Sequence, residues 1–331
     1  MSKWDGVALP KLTRDIEQCK RDLAEWGYCL LADLITDDQR KRLLDRLQEQ
    51  ARLEREQGVA WLGNGGRGGQ TWVGSPAAGE PLPAWQTVRT LLNKGRPFLD
   101  LVQHPKLAEL NNYLFQNNPW YLASSNGIII RKGAVAMVTH VDQQHIPFVT
   151  PIPVINNTMV CLSEFTEKNG ATRVTPGSHR GPPPKIVLDE KLKDGVNPEV
   201  IEQVPAEAPP GAVIVFEGRL WHSSGAATAD TERYSITCAY SQAFLRQHDN
   251  YTASLHDRVY HNLTSREREL LGFRANPFGR IDPRFPGDRT NTDVSNPYIP
   301  ELGASSVDRA IAVPNAATIQ TLNLAQDTKA Q

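Results

Sequence analysis

The chain lacks an excess of charge of either sign: 36 basic residues stand against 37 acidic residues, and the formal net charge is −1. A protein that binds nucleic acid or an anionic membrane surface usually carries clustered positive charge, so this balance argues against both classes of partner. No apolar run is long enough to span a bilayer, and no apolar signal region follows Met1. We therefore expect a cytoplasmic protein with neither a nucleic-acid nor a membrane partner.

Cysteine is also scarce, and its spacing is uninformative. The four cysteines are Cys19, Cys29, Cys161 and Cys238, and no two of them form a Cys-x-x-Cys pair. Such pairs are typical of zinc knuckles, and clustered cysteines are typical of disulfide scaffolds. The cysteines therefore predict neither kind of site. Those at 161 and 238 lie in apolar, strand-like surroundings, which favours buried thiols.

The length of 331 residues and the hydrophobic content of 40% suffice for a substantial core. We interpret residues 1–331 as a single domain in three parts. A helical N-terminal part covers residues 1–118, a β-rich core covers residues 119–245, and a C-terminal extension of helices and loops covers residues 246–331. The long extension suggests contact with a second copy, and hence a homodimer.

The N-terminal part carries clear local signals. Residues 11–26 have a helical pattern, and residues 28–35 have the pattern of a short strand. Thr36 and Gln39 fit a capping box at the start of a second helix. The apolar stripe of that helix, which we expect to pack on the β core, comprises Leu43, Leu44, Leu47, Ala51 and Leu53.

The rest of the chain alternates between helical and strand-like patterns. Further helices are predicted near residues 84–93 and 104–116, and another over residues 264–272. Strand-like segments dominate from 120 to 243 and are interrupted by a proline-rich break at 181–184. The pattern therefore predicts a mostly β core with flanking helices.

His140, Asp142 and His222 point most directly to chemistry. Two histidines and one carboxylate on one face of a metal leave the opposite positions open, as in non-haem Fe(II) oxygenases. Residues i and i+2 of a strand point to the same side, so His140 and Asp142 share a face and Val141 points away. The His-x-Asp pattern alone is weak in a chain with eight histidines. Strand-like segments at 127–138 and 212–217 precede the ligands and strengthen it, because ligands are commonly exposed at strand ends.

Several longer motifs follow one another along the chain. They are Gly27-Tyr28-Cys29-Leu30-Leu31, His140-Val141-Asp142, the stretch Glu167-Lys168-Asn169-Gly170-Ala171-Thr172-Arg173-Val174-Thr175-Pro176-Gly177-Ser178-His179, and Pro210-Gly211-Ala212-Val213-Ile214-Val215-Phe216 leading to Trp221-His222 and Arg233. With these motifs the chain resembles the phytanoyl-CoA dioxygenase family of Fe(II)- and 2-oxoglutarate-dependent oxygenases. The resemblance covers residues 27–272. The sequence of the third motif is similar to that of family members that oxidise natural products.

The resemblance implies a fold and a metal site. The fold is a double-stranded β-helix, or cupin-like jelly roll, with iron at its mouth. The implied iron ligands are His140, Asp142 and His222. The carboxylate at 142, where a halogenase has Gly or Ala, argues against halogenation, because a halogenase needs that coordination position for halide.

The resemblance also implies residues that bind the cosubstrate. Arg233, eleven residues after the second histidine, corresponds to the salt-bridge partner of the distal carboxylate of 2-oxoglutarate. A guanidinium offers a planar, permanently charged fork suited to a carboxylate; the alternative is a structural ion pair with Glu232. Thr172 matches a position that bonds the cosubstrate in similar enzymes; the alternative is an ordinary strand residue.

One departure from the family pattern precedes the first ligand. Natural-product enzymes often carry a cosubstrate-binding Gln there, whereas this chain has Met137 and Val138. Either another group binds the cosubstrate or the pocket is more apolar.

The candidates for substrate contact are Trp72, Met137, His145 and Phe148. Trp61 and Trp72 flank a glycine-rich segment at residues 64–70, for which we favour a lid over an apolar substrate rather than a plain surface loop. His145 follows Asp142 by three residues, and an ordinary solvent-facing role is its alternative. For the aromatic candidates the alternative is core packing. These surroundings predict a mid-sized, largely apolar substrate.

The sequence thus predicts a 2-oxoglutarate-dependent non-haem iron dioxygenase that uses Fe(II), 2-oxoglutarate and O2, with ascorbate in support. Hydroxylation is the default outcome, and desaturation, epoxidation or rearrangement are compatible with the same ligands. Two alternatives stay open: a non-catalytic cupin-like protein that binds a small molecule, and a zinc-dependent hydrolase that uses the same ligands.

Overall fold

The computed structural model describes residues 3–65, 71–76, 78–183 and 201–273. The α-helices are α1 Ile16–Trp26, α2 Asp37–Glu56, α3 Arg96–Val102, α4 Pro105–Leu114, α5 Tyr251–Ser254, α6 Asp257–Tyr260 and α7 Ser265–Leu270. The strands are β1 Tyr28–Leu31, β2 Ala60–Gly63, β3 Thr71–Gly74, β4 Trp85–Val88, β5 Trp120–Ile130, β6 Ile155–Cys161, β7 Thr172–Val174, β8 Val204–Pro205, β9 Val213–Glu217, β10 His222–Ser224 and β11 Arg233–Gln242. Short 3-10 helices cover Leu91–Asn93, Asp142–His145 and Ser178–Arg180. Of the helices in the described ranges, none combines the length and apolar character needed to cross a bilayer.

The strands form two antiparallel sheets. The large sheet has the order β1-β9-β6-β11-β5-β4-β2-β3, and the small sheet has the order β10-β7-β8. A buried apolar cluster between them joins Cys161 and Phe216 of the large sheet to Val174 of the small sheet. The large sheet does not close into a barrel. This arrangement of two facing sheets with few flanking helices confirms the predicted mostly β, jelly-roll architecture.

The second helix forms and packs as its sequence predicts. The Thr36 hydroxyl accepts a hydrogen bond from the Gln39 backbone N–H at 3.2 Å, and the Gln39 side chain accepts one from the Thr36 N–H at 2.9 Å. Leu47 is fully buried on the outer face of the large sheet. A Cβ at Gly127 would lie 2.3 Å from Cδ1 of Leu47. Glycine at 127 therefore allows α2 to approach the sheet closely. Two members of the predicted apolar stripe, Leu44 and Leu53, are only half-buried.

The prediction of a helix at residues 84–93 is wrong. The segment forms β4 and a 3-10 helix, because its side chains alternate between half-buried and buried positions with a period of two. The predictions at 104–116 and 264–272 are confirmed as α4 and α7. Four strands of the large sheet, β1 to β4, come from the part of the chain predicted to be helical. That part and the core therefore share one sheet.

Some predictions fall on residues that the structure does not describe. Residues 66–70 include most of the predicted glycine-rich lid. Residues 274–331 include most of the C-terminal extension, so the homodimer stays a prediction.

The register shows which side chains of the large sheet face the small sheet. Directly opposed residues on neighbouring antiparallel strands point to the same side. Cys161 faces the small sheet, and the residues opposite it on successive strands are Ser235, Ile128, Thr87 and Trp61. We call this side of the large sheet the lumen face, and the space between the two sheets the lumen.

Candidate metal centre

His140, Asp142 and His222 come together at one end of the lumen. His140 and His222 exchange two backbone hydrogen bonds of 2.9 Å, and β10 begins at His222. Asp142 opens the 3-10 helix that follows. Asp142 Oδ1 lies 3.5 Å from His222 Nε2 and 4.0 Å from His140 Nε2. The three ligand atoms all lie within 4.8 Å of one another, close enough to bind a single ion.

Backbone carbonyls orient both imidazoles. His140 Nδ1 donates to the Val138 carbonyl at 2.9 Å, and His222 Nδ1 donates to the Leu220 carbonyl at 2.9 Å. A proton held on Nδ1 leaves the Nε2 lone pair available for a metal. Both Nε2 atoms point toward Asp142, so the tautomers and the geometry agree.

The charges within the triad favour metal binding. Burial would raise the pKa of Asp142, but the charge of His222 and hydrogen bonds lower it to about 2. Burial and repulsion from His222 lower the pKa of His140. Burial opposes charge on His222, yet Asp142 raises the pKa of that imidazole. An ionised carboxylate beside two imidazoles is a suitable ligand set for a divalent cation.

Asn157 supports the carboxylate ligand, and the sequence analysis missed it. Its Nδ2 donates to Asp142 Oδ2 at 3.3 Å, which leaves Oδ1 turned toward the histidines. Asn157 is a half-buried residue of β6, within a mostly apolar run that ends at Cys161. The available signal was a polar residue at a lumen-face position of a buried strand.

Arg233 is the first residue of β11 and has 1% of its surface exposed. Its Nε and Nη1 have no hydrogen-bond partner among the described residues, and its Cζ lies 4.4 Å from the ring centroid of Phe165. Burial lowers its pKa to about 10. The alternative of a structural pair with Glu232 is not observed, because Glu232 binds Arg131 with an oxygen–nitrogen distance of 2.5 Å.

Thr172 lies between the metal ligands and Arg233. It is a buried residue of β7, and its hydroxyl lies 3.1 Å from the Met159 sulfur. On the lumen face of β6, Met159 lies between Asn157 and Cys161. Asn157 contacts the carboxylate of Asp142. Cys161 lies near Arg233, whose charge lowers the pKa of the thiol against the stronger effect of burial. An elongated dianion reaching from the metal toward Arg233 would therefore pass Thr172.

Two of the predicted substrate residues lie near the triad. Met137 is half-buried, and its N–H donates to the Ser224 carbonyl at 3.1 Å in the segment that leads to His140. His145 is exposed at the end of the 3-10 helix that begins with Asp142, and its ring centroid lies 5.3 Å from that of His248. Both side chains are close to the metal end of the lumen, and their roles stay predictions.

The structure does not place the other two predicted substrate residues in the lumen. Trp72 is opposite Leu62, which is buried on the other side of the sheet from Trp61, so Trp72 faces away from the lumen. Phe148 is 67% exposed and borders an outer cavity of about 590 Å³ that includes Val141 and none of the metal ligands. Trp61, and not Trp72, is the tryptophan of this hairpin that faces the lumen.

Comparison with known proteins agrees with this geometry. The model of the family described as phytanoyl-CoA dioxygenase (PhyH) matches residues 23–235. The chain is 28% identical over 265 residues to dioxygenase af480 of Aspergillus fumigatus, with 78% of each chain covered. Its fold is similar to that of the epimerase SnoN in complex with Fe3+, alpha ketoglutarate and nogalamycin RO, with a TM-score of 0.51, 20% identity, and coverage of 69% of this chain and 84% of SnoN. It is also similar to HygX from Streptomyces hygroscopicus with nickel and 2-oxoglutarate bound, with a TM-score of 0.53, 14% identity, and coverage of 72% and 90%.

The family model covers well over half of the chain and includes His140, Asp142, His222 and Arg233. This protein therefore belongs to the phytanoyl-CoA dioxygenase family.

Proposed function

We propose that the protein is an Fe(II)- and 2-oxoglutarate-dependent dioxygenase that oxidises a small, largely apolar metabolite. Membership of the family and the similarity to a fungal dioxygenase support this proposal. The two structural neighbours described above bind alpha ketoglutarate or 2-oxoglutarate, and one of them binds iron. Hydroxylation is the proposed default outcome.

The buried guanidinium of Arg233 is the observation that carries the proposal. A buried charge without a partner is costly, and it is normally compensated by an anion or avoided. Nε and Nη1 of Arg233 lack a partner among the described residues, although the side chain is almost wholly enclosed. A carboxylate of the cosubstrate would supply two parallel charge-assisted hydrogen bonds at this position.

The triad fits Fe(II) by the chemistry of its donors. Two imidazoles and one carboxylate on one face are typical of iron oxygenases that need open positions for a cosubstrate and O2. When bound, this centre would supply the oxidising power for the substrate while 2-oxoglutarate is converted to succinate and CO2. The same set of ligands in a zinc hydrolase would not require a buried cationic site at Arg233.

The protein's own residues would position the reactants. The carbonyls of Val138 and Leu220 hold the imidazoles, and Asn157 holds the carboxylate. Thr172 and Arg233 would bind the cosubstrate along one side of the lumen. The lumen face of the large sheet would orient the substrate and exclude water from the site of oxidation.

The first test is a visible spectrum recorded without oxygen. Protein stripped of metal would receive Fe(II) and then 2-oxoglutarate, and the weak charge-transfer band of the chelate should appear. His140→Ala should abolish the band. Arg233→Ala should weaken it at limiting 2-oxoglutarate, whereas Arg131→Ala, which removes a guanidinium paired with Glu232, should leave it intact.

A folded, iron-loaded protein without this band would overturn the proposal. Turnover of an ester or amide with zinc in place of iron would instead favour the hydrolase. Binding of a small molecule without consumption of 2-oxoglutarate would favour the non-catalytic protein.

A further inference from the structure

A second arginine faces the lumen next to β4, three strands across the large sheet from β6. The Cζ atom of Arg89, the residue after β4, lies 3.8 Å from the ring centroid of Trp61. Trp61 is opposite Thr87, and Thr87 is opposite Ile128, so the tryptophan belongs to the lumen face. The guanidinium stacked on that ring is therefore on the side of the sheet that carries the metal site.

The charge of Arg89 is available to a ligand. None of the described carboxylates forms an ion pair with it, and its guanidinium stacks on the tryptophan ring. Burial lowers the pKa of Arg89, and the more distant carboxylate of Asp249 opposes this effect only in part. The side chain nevertheless keeps exposed surface. Exposed surface within a desolvated environment is typical of a charged group on the wall of a cleft.

Several side chains of the lumen face between Arg89 and the triad are only half-buried. Each of β4, β5, β6 and β11 has at least one half-exposed side chain on the lumen face. These side chains include Thr87, Asn126, Ile128, Asn157, Met159 and Thr237. Thr237 is opposite both Asn126 and Met159. This continuous surface is mixed in polarity and large enough to contact one mid-sized molecule.

A backbone contact closes the lumen around this wall. The Val135 N–H donates to the Asn64 carbonyl at 2.8 Å, which joins the end of β2 to the segment five residues before His140. The hairpin that carries Trp61 is therefore in contact with the segment that leads to His140. From β4 to β6 the sheet crosses three strand spacings, roughly 14 Å.

We propose that Arg89 and Trp61 form a binding site for a carboxylate of the substrate, across the lumen face from the residues that would hold the metal. This inference rests on the proposed function and names its substrate class: an apolar or weakly polar body that carries a carboxylate. The carboxylate binds the guanidinium, and the body lies along the half-exposed wall. The carbon to be oxidised then lies near the metal, up to roughly 14 Å along the sheet from the carboxylate.

A single carboxylate suits this site better than a polyphosphate such as that of coenzyme A. Among the described residues of the lumen face, Arg233 is the other arginine, and the proposed function assigns it to the cosubstrate. One planar guanidinium over an aromatic ring matches the two oxygens of one carboxylate. A polyphosphate would be expected to engage several cations.

The test compares decanoate with decanamide, which has the same length but no charge. Full-length protein is loaded with Fe(II) and saturating 2-oxoglutarate without oxygen, so that Arg233 is occupied, and each probe is titrated by calorimetry. We expect the wild-type protein to bind decanoate at least tenfold more tightly than decanamide. Arg89→Gln should remove this preference and leave decanamide binding unchanged. Arg52→Gln, which alters an exposed arginine paired with Glu56 on α2, should retain the preference.

Each other outcome overturns the inference. They are equal binding of the two probes by the wild-type protein, a preference that persists in Arg89→Gln, and a preference lost equally in Arg52→Gln. The chelate band recorded on the same samples separates this inference from the proposed function. A band without carboxylate preference refutes only the Arg89 site. A preference that depends on Arg89 without a band supports the site and refutes the dioxygenase.

Discussion

Replacement of Arg233 by methionine should stabilise the protein without its cosubstrate while destroying the cosubstrate site. Methionine retains an unbranched apolar side chain against Phe165 but removes the buried charge. In wild-type protein the guanidinium is 1% exposed, and its Nε and Nη1 have no partner among the described residues. The variant avoids the cost of that buried charge and thereby loses the group that we assign to 2-oxoglutarate.

The magnitude follows from the pKa of Arg233, which burial lowers to about 10. At about 1.36 kcal/mol per pKa unit, keeping this group charged in the folded state costs about 3 kcal/mol. The folded pKa lies below the unfolded one, so the penalty is full at every pH below 10 and disappears as the pH rises beyond it. Loss of stacking on Phe165 costs about 1 kcal/mol. The net gain of about 2 kcal/mol corresponds to a rise in Tm of about 3 °C for a chain of 331 residues.

The assay is differential scanning calorimetry at neutral pH, with and without Mn(II) and 2-oxoglutarate. Wild-type protein should gain about 2.7 kcal/mol from 2-oxoglutarate at a hundred times its Kd, and Arg233→Met should gain nothing. Arg131→Met is the matched control, because its guanidinium is paired with Glu232 and its loss should lower Tm. If Arg233→Met unfolds at a lower temperature than wild type and is still stabilised by 2-oxoglutarate, the reasoning is refuted.

Three further predictions concern other contacts. Asn157→Leu should weaken metal affinity by about tenfold or more, because the carboxylate of Asp142 loses its hydrogen bond. Competition with a chelator measures the affinity, and an unchanged value would show that the contact is unimportant. Gly127→Ala should lower the free energy of unfolding by about 1–3 kcal/mol in urea, and adding Leu47→Ala should cost less than the sum of the two single changes; simple additivity would contradict the close approach. Lys94→Met should lower the free energy of unfolding in urea by about 3–5 kcal/mol, because the buried carboxylate of Glu54 loses the ammonium group that lies 2.9 Å away. A decrease below about 1 kcal/mol would refute this prediction.

The sequence was informative where one local rule decides the outcome. The spacing of His140 and Asp142 predicted that their side chains meet, and the structure brings their ligand atoms together with that of His222. The predicted reason, a strand that carries both residues, is wrong, because β5 ends at Ile130, His140 forms an isolated β-bridge with His222, and Asp142 opens a 3-10 helix. The capping box at Thr36 and Gln39 depends on residues three apart, and it is present.

Features that depend on pairing between distant strands could not be predicted from local sequence patterns. Trp61 and Trp72 look equivalent along the chain, and only the register with Thr87 and Leu62 shows that they face opposite sides of the sheet. The β4 segment is too short for its alternation to outweigh a helical interpretation. The contact of Asn157 with Asp142 joins β6 to the segment after the first ligand, and no local sequence pattern predicts that these two residues are close.

The residues of the proposed carboxylate site and those of the proposed metal and cosubstrate sites are separated along the sequence as well as in space. The residues assigned to the metal and the cosubstrate lie between positions 140 and 233, whereas Trp61, Thr87 and Arg89 all precede position 90. Mutations in the earlier segment would therefore alter the proposed carboxylate site and leave the residues of the proposed metal and cosubstrate sites unchanged.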